Sequence, residues 1–317
     1  MCEQLDEDKW RQTCRLLHHP ESKRNSAYCV RIPGFSRLLL PCQAHSVARS
    51  LYMVHSLVHS CLHGHAMGVG KTTITIATLH IQHVVNMMYS DIQSQPQNHL
   101  GPEQISGEIC PTLDAVLQKY GLDCPYAKAS PTFPIKEHLG VGVVIAPLGL
   151  LKNWCDEWKA CYSDEEGNVT QLSNPMGMTL FLAHNSARAA DGNDLDTKKR
   201  TLIGVVENVG EQNGRRPPTC SPKLSNSQIL CLTTSHSFEK QVLDKIKKIH
   251  YYRWQPEPKQ VRARDGSIRF TTPRIKEQPI PYYPLIIASV WRDECHLEKG
   301  LSSKTLQLLK LPFFRNA

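Results

Sequence analysis

The stretch HGHAMGVGKTT, residues 63–73, decides how the rest of the chain is read. HSCLHG (59–64) leads into it with the look of a short strand, and ITIATLHIQHVVNMM (74–88) after it predicts a helix. Strand, glycine loop, helix is the order in which a phosphate-binding loop is built. Gly68 and Gly70 let backbone N–H groups turn toward an anion with no Cβ in the way. A helix beginning near Lys71 presents its positive end to the same anion. Lys71 supplies a point charge for the β- and γ-phosphates of a nucleotide, and the Thr72 hydroxyl is placed to hold Mg²⁺. The full pattern G-x-x-x-x-G-K-[ST] has a glycine where this chain has His65. A glycine turn that starts a helix and binds nothing is the plainer reading of the same residues.

Working outward, the apolar pattern alternates between two periods. LLLPCQAHSVARSLYMVHSLV (38–58) breaks at Pro41, then keeps helical spacing through Val47, Leu51, Val54 and Leu57. VGVVIAPL (141–148) reads as a buried parallel strand, and the next helix places Leu150, Trp154, Trp158 and Tyr162 on one face. MTLFLA (178–183), QILCLTT (228–234) and PLIIASVW (284–291) are further strands; FEKQVLDKIKKI (238–249) and LSSKTLQLL (301–309) are further helices. Such alternation predicts an α/β fold with a parallel sheet covered on both faces. Residues 1–36, polar and mixed in charge, read as a tail or a loosely attached helix. Residues 37–317 then form one lobe, with insertions near 91–140, 184–225 and 250–283.

The last strand runs into Asp293-Glu294-Cys295-His296. An acid at the C-terminal end of a buried strand, beside a phosphate loop, is where a second Mg²⁺ contact sits. Glu294 is then placed to orient or deprotonate an attacking water, and His296 to relay the nucleotide state to a partner surface. Paired with the glycine loop, these residues point to ATP hydrolysis. Arg292 precedes the acid, and a buried, unpaired guanidinium is costly. Either the strand ends at Val290 or this site is damaged.

Composition bounds the alternatives. The chain has 317 residues, 40% apolar and 21% charged, which excludes wholesale disorder. No apolar run approaches the ~20 residues of a membrane helix, and the charged start MCEQLDEDKW is no secretory signal. The twelve cysteines include no C-x-x-C pair, so free thiols are expected. His55, His59, Cys61, His63 and His65 crowd together without the paired spacing of a structural zinc site. Trp154 and Trp158 read as core rather than as base-stacking platforms, and Lys304 as surface.

Taken in order, these motifs resemble the N-terminal lobe of Swi/Snf-type DNA-dependent ATPases of the helicase-like superfamily, over roughly residues 38–313. HGHAMGVGKTT is similar to the family's phosphate loop in its ATRX-like, His-x-Met-Gly version. VVIAPLGLLKNWCDEW (143–158) resembles the next motif, whose Pro-Leu-x-x-Leu-x-x-Trp segment abuts DNA. ILCLTTSHSF (229–238) resembles the Leu-Thr-Thr-Tyr segment, with Ser235 for the aromatic. DECHLEKGLSSKT (293–305) resembles the DEAH box and its continuation, with Cys295 for Ala and Gly300 for Asn. Gln43 matches the upstream glutamine that contacts adenine.

The resemblance implies a RecA-like P-loop NTPase lobe that takes ATP and Mg²⁺. Gln43, His65, Ala66, Met67, Gly68, Val69, Gly70, Lys71, Thr72 and Thr73 would bind ATP, and Thr72 and Asp293 the metal. Lys71, Asp293, Glu294 and His296 would carry catalysis, with Pro147, Thr233 and Thr234 along the DNA. The implied activity is ATP-driven translocation on double-stranded DNA or chromatin, in remodelling or repair, hence a nuclear protein with no membrane partner. The family continues past LPFFRNA into a Thr-Gly-Thr-Pro motif and a second lobe. The expectation is therefore a lone lobe, weak or inactive unless a second helicase lobe completes it in trans. The alternative is a non-catalytic nucleotide- or DNA-binding module.

The net charge of +8 has one source. Residues 245–276 hold ten Lys/Arg against Glu257 and Asp265, a surplus equal to that of the whole chain. Within them QVRARDGSIRF (260–270) reads as a β-hairpin on an Asp265-Gly266 type I′ turn. In that register Arg262 opposes Arg269, and like charges across a ladder repel unless an anion lies between them. Arg262, Arg264 and Arg269 are thus candidate contacts to nucleic-acid phosphate; a solvated insertion is the alternative.

Overall fold

The computed structural model describes residues 7–21, 29–56, 60–61, 63, 68–94, 110, 112–127, 129–137, 140–163, 176–184, 226–238, 259–263, 265–271 and 287–293. Its centre is a four-stranded, all-parallel sheet formed by β1 (Val141–Ile145), β2 (Thr179–Leu182), β3 (Ile229–Thr233) and β6 (Ile287–Arg292), in the order β2-β3-β1-β6. The two central strands, β1 and β3, are buried at every residue, as expected of parallel strands covered on both faces. The edge strands β2 and β6 are mostly half-buried. An α/β fold is therefore what these residues form.

Helix α1 (Glu7–Leu17) packs on α2 (Pro41–Val54), and α2 on α3 (Lys71–Ser94). α3 in turn meets α4 (Leu113–Tyr120) and α5 (Leu151–Tyr162); α6 (Ser235–Phe238) is a single turn. One core joins Trp10, Leu16, Val47, Leu51, Ile74, Ile81, Met88, Trp154 and Trp158 to Val144, Leu230 and Leu232 of the sheet. α3 is buried along most of its length because it packs against α2, α4, α5 and the turn Asn226–Gln228 before β3, with Leu79 set against Gly142 of β1.

Four departures from the sequence reading stand out. First, residues 7–17 are no loose tail: Trp10, Cys14 and Leu17 are buried, and Val30, Ile32 and Phe35 follow them into the core. Second, residues 60, 61 and 63 are not in a strand, although HSCLHG suggested one. Ser50 Oγ instead takes Nε2 of His63 at 2.9 Å, and the His63 ring stacks on Trp291 of β6 at 5.9 Å. Third, part of the 91–140 insertion belongs to the core, since Cys110, Tyr120, Leu122, Cys124 and Ile135 are all buried.

The fourth concerns the hairpin of β4 (Lys259–Arg262) and β5 (Ile268–Thr271), whose register lies one residue from the predicted one. Arg262 pairs with Ile268 and Arg269 with Val261, so the two arginines are not opposed. The loop has three residues, not two. Ala263 N–H donates to the Ser267 carbonyl and Gly266 N–H to the Ala263 carbonyl, with Gly266 at φ +81°. That is a turn followed by a left-handed bulge residue. Asp265 accepts from the Ser267 hydroxyl and N–H, bonds that hold its carboxyl below the usual range. The like-charge argument for a phosphate between Arg262 and Arg269 falls with the register. The helix predicted to 249, the helix at 301–309 and the rest of the 184–225 and 250–283 insertions lie outside the described residues.

Candidate functional site

Of the glycine loop, Gly68, Val69 and Gly70 are described. Gly68 and Gly70 sit at φ +84° and +85°, where L side chains are strained. An added Cβ at Gly70 would also lie 2.5 Å from Gln43 Nε2, so the Gln43 amide would have to shift off the Val69 carbonyl. Gly70 caps the next helix, its carbonyl accepting from Ile74 N–H at 3.0 Å, so α3 begins at Lys71 with no acidic residue in its first turn. An α-helix of 24 residues thus aims its positive end at the loop.

Gln43 is the upstream buttress. Pro41 occupies the first turn of α2, and Gln43 Oε1 accepts from Leu40 N–H at 2.9 Å. Its Nε2 donates to the Val69 carbonyl at 2.8 Å, which ties α2 to the loop. The two stretches that the sequence placed at one ATP site therefore touch. Lys71 and Thr72 are half-buried at the helix start. Thr73 is buried, and its hydroxyl donates to Glu157 Oε2 of α5 at 3.0 Å; Arg37 pairs with the same carboxylate.

On the sheet, Asp293 N–H donates to the Ile145 carbonyl at 2.9 Å, carrying the β1–β6 ladder one residue past the strand. The strand runs through Arg292, opposite Ile145, instead of ending at Val290. Arg292 lies half-buried on an edge strand, so the cost of a fully buried guanidinium does not arise. The Asp293 carboxylate accepts from the indole N–H of Trp154 at 2.8 Å. Trp154 and Glu157 are neighbours one turn apart on α5. The start of the glycine-loop helix and the acid at the end of β6 are thus held by adjacent side chains of one helix. The sequence reading singles out neither Arg37 nor Glu157, and takes Trp154 as core within a segment that the resemblance sets against DNA. The one available signal was that a buried indole N–H needs an acceptor.

Other candidates fare differently. Pro147 opens a short turn, Leu148–Leu150, at the C-terminal end of β1, with Leu148 57% exposed. Thr233 and Thr234 are buried, at 1% and 7% exposure, and do not face solvent. Thr233 Oγ1 donates to the Ala183 carbonyl, and Thr234 Oγ1 caps α6 by accepting from Ser237 N–H. Their hydroxyls thus join protein to protein. His65, Ala66, Met67, Arg264, Glu294, His296 and Lys304 lie outside the described residues, and Arg269 is described only as a paired position of β5. Among the described residues no group of three or more His, Cys, Asp or Glu is placed to hold a metal ion, and no helix is long and apolar enough to cross a membrane. No protein-family model, curated protein or solved structure matches the chain.

Proposed function

We propose that the chain is the ATP-binding, RecA-like lobe of a DNA-dependent ATPase or translocase of the chromatin-remodelling or DNA-repair type, acting in the nucleus. One observation carries the reading: a left-handed glycine loop opens a long buried helix at Lys71-Thr72, and α5 ties that helix start to Asp293 at the end of a parallel strand. Ligands of open parallel sheets bind at that edge. The loop N–H groups and the helix end would cradle the β- and γ-phosphates, with Lys71 neutralising their charge. Thr72 and Asp293 suit Mg²⁺, which takes one or two protein oxygens, keeps several waters and needs no protein cage. When bound, the metal would offset the charge that develops on the phosphate oxygens. Glu294 would orient the attacking water, as the resemblance implies. Double-stranded DNA would lie across the Pro147–Leu150 turn.

Mg-ATP should raise the melting temperature by mass action, about 2.7 kcal/mol of stabilisation at a hundred times Kd. Lys71→Ala should abolish the shift. A parent chain that melts at the same temperature with and without millimolar Mg-ATP refutes nucleotide binding. DNA-stimulated phosphate release separates the enzyme from a module that binds and never turns over. A second lobe supplied in trans should raise that release.

A further inference from the structure

Trp154 is 4% exposed, which leaves no face for a nucleic-acid base, yet its one polar atom is spent on Asp293. An indole N–H is a donor only, fixed in the ring plane and unable to rotate as a hydroxyl does. It therefore imposes a direction on the carboxylate it meets. The Asp293 backbone is already pinned by its bond to Ile145, so the remaining freedom is rotation of the carboxylate, and Trp154 removes it by holding Oδ2. Among the described residues Oδ1 makes no hydrogen bond. One turn further along the same helix, Glu157 holds Thr73 at the start of α3. α5 itself begins directly after the exposed Leu148 turn.

We propose that Trp154 is a positioning residue for Asp293. Its indole N–H fixes Oδ2 so that Oδ1 faces the nucleotide-bound metal, while Glu157 keeps the phosphate-loop helix in register with that acid. α5 is then a brace with two adjacent struts, one on each half of the site. The inference rests on the nucleotide-site reading above and adds to it a residue that touches neither nucleotide nor metal.

The test titrates Mg²⁺ against full-length chain at fixed ATP and follows the melting temperature, for the parent and for Trp154→Phe, which keeps an aromatic ring and loses the donor. Outer partners of metal ligands typically contribute 10–100-fold to metal affinity. The Mg²⁺ concentration giving half the shift should therefore rise roughly tenfold in the variant. The smaller shift given by ATP in EDTA should stay as in the parent. An unchanged Mg²⁺ midpoint overturns the role of Trp154 alone. No shift in the parent, with or without Mg²⁺, overturns the nucleotide site and this inference with it.

A second measurement does not need the variant to fold. In ¹⁵N-indole-labelled parent chain, the Trp154 signal is identified by elimination with Phe variants of the other four tryptophans. It should broaden away when Mn²⁺-ATP replaces Mg²⁺-ATP, because its proton lies one carboxylate from the metal. A signal that stays sharp overturns the proposal.

Discussion

Trp154 and Trp158 lie one turn apart on α5, at 4% and 8% exposure, and differ in what their N–H groups meet. Trp154 donates to a carboxylate; Trp158 Nε1 is buried with no hydrogen-bond partner among the described residues, its ring 5.6 Å from Tyr162. Replacing each by Phe removes the same volume, so the cavity costs nearly cancel in a comparison. What remains is a bond to a charged group in one case and relief of an unsatisfied donor in the other. Trp154→Phe should therefore destabilise the chain by about 1.5–3 kcal/mol more than Trp158→Phe, measured by urea unfolding. Equal costs would mean that the Trp154–Asp293 bond contributes nothing to stability. The helical spacing of Leu150, Trp154, Trp158 and Tyr162 made burial of both rings legible in sequence. The acceptor was not legible, because it lies 139 residues further on and only the pairing of β6 with β1 brings it near.

Among the elements, strands were the most legible. The runs at 141–148, 178–183, 228–234 and 284–291 each contain or overlap an observed strand, since a run of apolar, often β-branched residues has few other places to go. The boundary at Arg292 was missed because an edge strand tolerates a half-exposed charge that a central strand would not. The hairpin register was missed because Asp265 and Ser267 close a three-residue loop on Gly266, and a slip of one residue changes every cross-strand pair. α1 was lost to its composition: its charged residues hid Trp10, Thr13, Cys14 and Leu17, which fall at i, i+3, i+4 and i+7 and are all buried. That helix is testable by itself. Trp10 is 2% exposed and donates to the Glu21 carbonyl at 2.9 Å. Trp10→Ala should cost about 3–5 kcal/mol in urea unfolding. A loosely attached helix would lose no more than about 0.5 kcal/mol.

At the scale of the molecule, α3 connects the site to the core. It starts at the glycine loop and runs about 36 Å at 1.5 Å per residue through the packed interior. Its tenth residue is His80, wholly buried between Phe35 and Tyr162. Nε2 lies 2.7 Å from the Pro33 carbonyl, which can only accept, so the ring proton sits on Nε2; Nδ1 then accepts from the Tyr162 hydroxyl at 3.1 Å. Burial lowers the His80 pKa to about 4, against the opposing pull of the Pro33 carbonyl. The linkage has a definite sign. Below the unfolded value near 6.5, the unfolded chain takes up a proton that the native chain refuses. Stability is therefore complete above pH ~6.5, falls by about 1.4 kcal/mol per unit as the pH drops toward 4, and is lost no further below that. His80→Gln keeps a donor for Pro33 and removes the titration. Urea unfolding at several pH values should then show a dependence between pH 6.5 and 4 that is one proton shallower in the variant. Parallel curves for the two chains would mean that the buried ring is protonated at no cost, which the closed packing around it forbids.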